Sequence, residues 1–169
     1  MSKLLAVLQL PSILTPLVTI DVGVNTGICV YHHKTIELTT LLKEKAAHKK
    51  LNVSERVMFL ADQVEDFLSK NRISPEITLI EGVQVYGSSQ KSMASTLSGD
   101  TIMVAYMTGA FAAVCSTHSR FTRIVLPRQW KGNMNKDVVK ARIKRVTDID
   151  YPDHIADAVG MMLSLRGVL

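Results

Sequence analysis

Two acids stand at the ends of apolar runs. Residues 17–21 read Leu-Val-Thr-Ile-Asp and residues 77–81 read Ile-Thr-Leu-Ile-Glu, so Asp21 and Glu81 each close a stretch with the pattern of a buried central strand. A third acid, Asp157, lies in Pro152-Asp-His-Ile-Ala-Asp-Ala-Val, a stretch of helical character. One strand-end acid often does no more than cap a turn. Together they say more, because adjacent strands of an open sheet deliver their C-terminal ends to one crevice. Clustered carboxylates repel one another unless a cation neutralises them, and all-oxygen ligands suit Mg²⁺ or Mn²⁺. Two such ions can activate a water and stabilise the leaving oxygen of a phosphodiester. His154 is three residues before Asp157 and shares its helix face, as either a ligand, a proton shuttle or a plain exposed histidine. Asp153 is four residues before Asp157 and is equally well read as a first-turn acid beside Pro152. Whether Asp153 or His154 completes the cluster stays open at this level.

The elements that must position these residues can be read from periodicity. After the strand at 17–21, Gly23 and Gly27 bracket a tight turn, residues 28–31 return as a second strand and 35–41 form a third, an antiparallel meander. Residues 43–50 are polar and basic and read as a surface loop. Asn52-x-x-Glu55 is a capping box, with Ser54 a competing cap. Val53, Val57, Leu60, Ala61, Val64, Phe67 and Leu68 then recur at helical spacing up to Asn71, ahead of Pro75. Residues 92–117 read as a helix rich in small residues, with no Asp, Glu, Lys or Arg between Asp100 and Arg120. A helix apolar nearly all round needs a second cover, for which another subunit is the expectation. A short strand at 121–126, a basic helix at 135–146 and a last helix at 153–165 complete the order βββαβαβαα, a mixed α/β domain.

The chain has 169 residues, 47% of them hydrophobic and 21% charged, enough for one domain with a real core. Twenty Lys and Arg against fifteen Asp and Glu give a net charge of +5, which favours a polyanionic partner. Cys29 and Cys115 sit in apolar stretches and are expected to be free buried thiols. The apolar residues 4–18 are interrupted by Gln9, Pro11 and Pro16 and lack a small-x-small cleavage site. The uncharged run 102–115 falls short of the roughly 18–20 residues a membrane span needs. A soluble cytoplasmic protein with no membrane partner is expected.

Strand-Asp21-x-Gly-x-x-x-Gly27, strand-Glu81-Gly-Val and His154-x-x-Asp157-Ala-Val resemble the catalytic signature of the RuvC family of Holliday junction resolvases. The order of elements matches over about residues 17–166, and the likeness extends to bacteriophage members at least as much as to bacterial ones. The resemblance implies an RNase H-like fold: a mixed five-stranded sheet flanked by helices, with residues 17–169 as the nuclease domain and 1–16 as an N-terminal extension. It implies Asp21, Glu81, His154 and Asp157 as catalytic and metal-binding residues, and Mg²⁺ or Mn²⁺ as cofactor with two ions per site. It further implies paired nicking of four-way DNA junctions by a homodimer, with 5′-phosphate and 3′-hydroxyl ends, in a bacterial or phage-infected host cytoplasm. Many members carry an acid where His154 stands. Family members also start almost on the first strand and place an aromatic close behind the second acid. Here Gln84 occupies the third place after Glu81 and the nearby aromatic is Tyr86, either a stacking wedge or an ordinary loop tyrosine.

Residues 119–146 hold nine Lys and Arg against the single Asp137, a local +8 that exceeds the whole chain's +5. A solvated helix face shows the same signs. Yet these charges flank residues 126–132, a loop leaving the last strand near the acids, where phosphate contacts would position a backbone without reading sequence. Arg128, Lys131, Lys136 and Lys140, with Tyr86 and Lys91, are the expected DNA contacts. Trp130 either stacks or anchors that loop. His32-His33 lacks a Cys or acid at zinc spacing and reads as strand-end surface. No Gly-x-Ser-x-Gly, Walker A or Cys₂His₂ pattern occurs. Two other activities fit the same residues: an RNA nuclease similar to the pre-16S rRNA processing enzymes, and a junction-binding protein with a dead site.

Overall fold

A computed structural model describes residues 16–33, 35–84 and 99–169. Its sheet has five strands in the order β3-β2-β1-β4-β5: β1 (Leu17–Asp21), β2 (Asn25–His32), β3 (Thr35–Lys43), β4 (Ile77–Glu81) and β5 (Phe121–Val125). β1 pairs antiparallel with β2 and parallel with β4, and β4 pairs parallel with β5. The antiparallel meander and the mixed five-stranded sheet expected from the sequence are therefore present, and the α/β class holds.

Helices cover both faces. On one side lie α1 (Val53–Lys70) and α2 (Asp100–His118), packed with Val18, Ile20, Ile28 and Ile80. On the other lie α3 (Pro127–Lys131), α4 (Lys136–Thr147) and α5 (Asp153–Leu165), packed with Leu17, Cys29, Ile77 and Leu79. α5 is buried at nine of its thirteen positions because it is sandwiched between the sheet and α3–α4. α1 begins with the expected capping box, Asn52 and not Ser54 being the cap.

Three expectations are corrected. Gly27 does not end a turn: β2 already starts at Asn25, and Gly27 lies inside it opposite Asp21. Residues 43–50 are not plain loop, since Ala46–Lys50 form a 3₁₀ turn and Glu44 is tied to the Arg56 guanidinium by two hydrogen bonds, through Nε and Nη2. The loop expected at 126–132 contains α3, opened by Pro127 and closed on Leu126 N, which donates to Gln129 Oε1 at 2.7 Å. Of the helix expected at 92–117, residues 92–98 lie outside the described residues. Both cysteines are free and buried, and burial pushes each thiol up to about 12.

Candidate active site

Strand parity aims the first two acids. Along β1, Leu17 and Thr19 face α5, so Asp21 does too; along β4, Ile77 and Leu79 face α5, so Glu81 does too. Both strands end at the same edge because they run parallel and in register from Leu17–Ile77 to Ile20–Ile80. α5 crosses that edge with its first turns, which bring His154 and Asp157 to the same place. Carboxylate oxygens of Asp21, Glu81 and Asp157 all lie within 4.8 Å of one another. His154 joins them through Nδ1, which is 2.7 Å from Asp21 Oδ2.

Two side contacts fix this geometry. Thr19 Oγ1 donates to the Ala158 carbonyl at 2.7 Å, anchoring α5 on β1. Gly27 lets the helix come down: a Cβ there would stand 2.1 Å from the His154 carbonyl oxygen and 2.8 Å from Ile155 N. The Asp-x-Gly-x-x-x-Gly spacing thus serves a close backbone approach as well as the turn, where Thr26 Oγ1 donates to the Gly23 carbonyl at 2.6 Å.

The site is short of protein cations. Burial, and next the Asp21 charge, push Glu81 up to about 8; burial foremost also raises Asp157. Glu81 Oε2 is fully buried without a hydrogen-bond partner among the described residues. The hydrogen bond from the His154 ring to the Asp21 carboxylate raises His154. Lys131 partly compensates, its Nζ lying 3.5 Å from Glu81 Oε1 and 3.8 Å from Asp157 Oδ2. Three crowded carboxylates with an orphaned oxygen among them fit a hard divalent cation.

Asp153 points elsewhere. Its carboxylate takes Lys136 Nζ at 2.9 Å and Lys140 Nζ at 3.0 Å, and these hydrogen bonds hold it down at about 2. Between the two candidates left open by the sequence, the structure brings His154 to the acids and turns Asp153 to α4.

The basic tract is less free than its count suggested. Lys136 and Lys140 are engaged by Asp153, Arg120 by Glu76 at 3.0 Å and Lys144 by Asp150 at 3.8 Å, all acids from outside the tract. Arg128 is exposed on α3. Lys131, expected only as a DNA contact, sits among the acids, a placement that nothing in its local spacing could reveal. Trp130 is an anchor: its buried ring lies against Gly160 and Ile143, where a Cβ on Gly160 would stand 2.7 Å from the ring. Tyr86 and Lys91 fall outside the described residues.

No protein-family model matches the chain, and no curated protein matches it. Solved structures do. Thermus thermophilus RuvC matches with a TM-score of 0.63 at 18% identity, covering 89% of this chain and 92% of that one. The fold is that of RuvC. The same T. thermophilus RuvC in complex with a Holliday junction substrate matches with a TM-score of 0.65, again at 18% identity and the same coverage. The yeast mitochondrial Holliday junction resolvase matches with a TM-score of 0.59 at 17% identity, covering 98% of this chain and 85% of that one. The RNase H-like, RuvC-type architecture expected from the sequence is therefore present, with its sheet order and flanking helices.

Proposed function

We propose that this chain is a metal-dependent, structure-selective endonuclease that resolves four-way DNA junctions by paired nicking. The observation that carries this reading is the convergence of Asp21, Glu81 and Asp157, with ligand oxygens within 4.8 Å of one another, on a fold shared with junction-binding RuvC. Asp21, Glu81 and Asp157 would hold Mg²⁺ or Mn²⁺, two ions per site. Ions held there would activate a water and stabilise the leaving oxygen of a phosphodiester.

The protein's own groups do the rest. His154, held through Nδ1 by Asp21, keeps its other ring nitrogen to hold or pass a proton. Lys131 neutralises Glu81 and Asp157 until a divalent cation does so, and its ammonium is then released to a backbone phosphate. Arg128, Lys136 and Lys140, joined by Lys91, position the duplex arms through phosphates and carry no sequence reading, and Tyr86 contacts the DNA as a stacking wedge. A four-way junction has two-fold symmetry, so paired nicks call for a two-fold dimer. The outward flank of α2, exposing Ile102 and Tyr106, is its interface in this reading. Residues 17–169 form the nuclease domain and 1–16 an extension. The reading places its work in a bacterial or phage-infected cytoplasm; among the described residues no helix is long and apolar enough to cross a membrane.

The test compares a synthetic mobile four-way junction with linear duplex, using wild type and Asp21→Asn in EDTA, Mg²⁺ and Mn²⁺. Metal-dependent symmetric nicking, lost in Asp21→Asn, supports the reading. Tight binding without cleavage in either metal overturns it in favour of a junction-binding protein. Neglect of both DNAs with cleavage of structured RNA overturns it in favour of the processing nuclease.

A further inference from the structure

The β2–β3 hairpin carries a second group of potential ligands at the end of the sheet away from the acids. β2 runs from Asn25 beside the acidic edge to His32, seven residues and roughly 23 Å further on. There the side chains of His32, His33 and Glu37 place one ligand atom each within 4.8 Å of the others. His33 adopts a left-handed backbone with φ of 46°, so the chain turns at the very residue where strand alternation would have sent its ring to the opposite face. The two imidazole rings consequently lie 3.7 Å apart, centroid to centroid. Glu37 returns on β3 and puts Oε1 3.2 Å from His32 Nδ1.

We infer that His32, His33 and Glu37 form a transition-metal site, separate from the acidic triad and selective for a borderline cation such as Zn²⁺. The donor set decides the class. Imidazole suits Zn²⁺, Ni²⁺ and Cu²⁺, whereas the oxygen-only triad suits Mg²⁺ and Mn²⁺. Two ligands of one tetrahedral Zn²⁺, each at about 2.0–2.1 Å, stand about 3.3 Å from each other. His32 Nδ1 and Glu37 Oε1 already have that separation. Only the exposed His33 ring has to rotate to complete three protein ligands. His32 and Glu37 also line a cavity of about 190 Å³, walled further by Asn71, Arg72 and Ser74, with room for the water that fills a fourth position. A bound ion would tie edge strand β3 to β2 at the tip of their hairpin.

The sequence hides this site because the acid lies across a turn and not at a helical or knuckle spacing from the histidines. The proposal does not depend on the nuclease reading. Its test uses EDTA-stripped full-length protein in excess Mg²⁺, titrated with Zn²⁺ by calorimetry and by imidazole ¹⁵N NMR. One equivalent should bind, shift the ring nitrogens of His32 and His33, and persist in Asp157→Asn. His33→Asn, chosen because Asn tolerates the left-handed backbone, and Glu37→Gln should each lower affinity tenfold or more. Circular dichroism of both variants in EDTA establishes that they are folded. Zn²⁺ affinity unchanged in both variants, or binding lost in Asp157→Asn, would overturn the site.

Discussion

At the residue scale the candidate site is a balance of negative charge against few cations. With Glu81 raised to about 8, the metal-free folded state keeps a proton that the unfolded chain loses near 4.5. The folded state therefore binds more protons over that interval, and its stability falls as pH rises from about 4.5 toward 8. In EDTA, the melting temperature should drop across that window in wild type and drop less in Glu81→Gln. The same variant should abolish the stabilisation that Mg²⁺ or Mn²⁺ gives the wild type at pH 8, measured by thermal melts with and without metal. Lys131→Met removes the internal counter-ion. It should lower metal-free stability at pH 8, yet raise Mn²⁺ affinity by several-fold in a calorimetric titration, because the cation no longer competes with an ammonium. An unchanged Mn²⁺ affinity would show that Lys131 does not oppose the metal.

At the element scale the decisive contacts are backbone approaches that a single methyl would block. Gly27→Ala forces α5 away from β2, at a cost of about 1–3 kcal/mol in chemical denaturation, and it should weaken metal binding because His154 and Asp157 move together. Gly109, mid-way along α2, is the control: a Cβ there meets nothing within 4 Å, and Ala should add about 0.5–1 kcal/mol through helix propensity. Trp130→Ala empties the space between α3 and α5 and should cost about 3–5 kcal/mol. Its loss should also displace Lys131, the next residue, from the acids.

At the scale of the whole molecule, α2 is unequally covered. Met103, Met107, Phe111 and Cys115 pack on α1 and the sheet, while Ile102 and Tyr106 are more than half exposed, at 51% and 62%. An uncharged helix flank of this kind matches a self-complementary two-fold contact. Wild type should run as a dimer at micromolar concentration in sedimentation velocity. Tyr106→Lys should shift it to monomer without changing metal-induced stabilisation, since α2 and the acids lie on opposite sides of the sheet. Wild type running only as monomer would remove α2 as the interface.

Sequence by itself determined β1 and β4 and their terminal acids, because a buried strand announces itself as a continuous apolar run and a charge ending it is conspicuous. It also determined α1, through its capping box and apolar spacing, and the α/β order. It left Asp153 and His154 unresolved, since both share a helix face with Asp157 and only the packing of α5 on β2 at Gly27 decides which one reaches Asp21. It overstated the free charge of residues 119–146, because Asp153, Asp150 and Glu76 come from elsewhere in the chain. It could not place Lys131 among the acids or Glu37 beside two histidines. Local periodicity fixes which residues share a face of one element; only the tertiary fold fixes which charges from different elements meet.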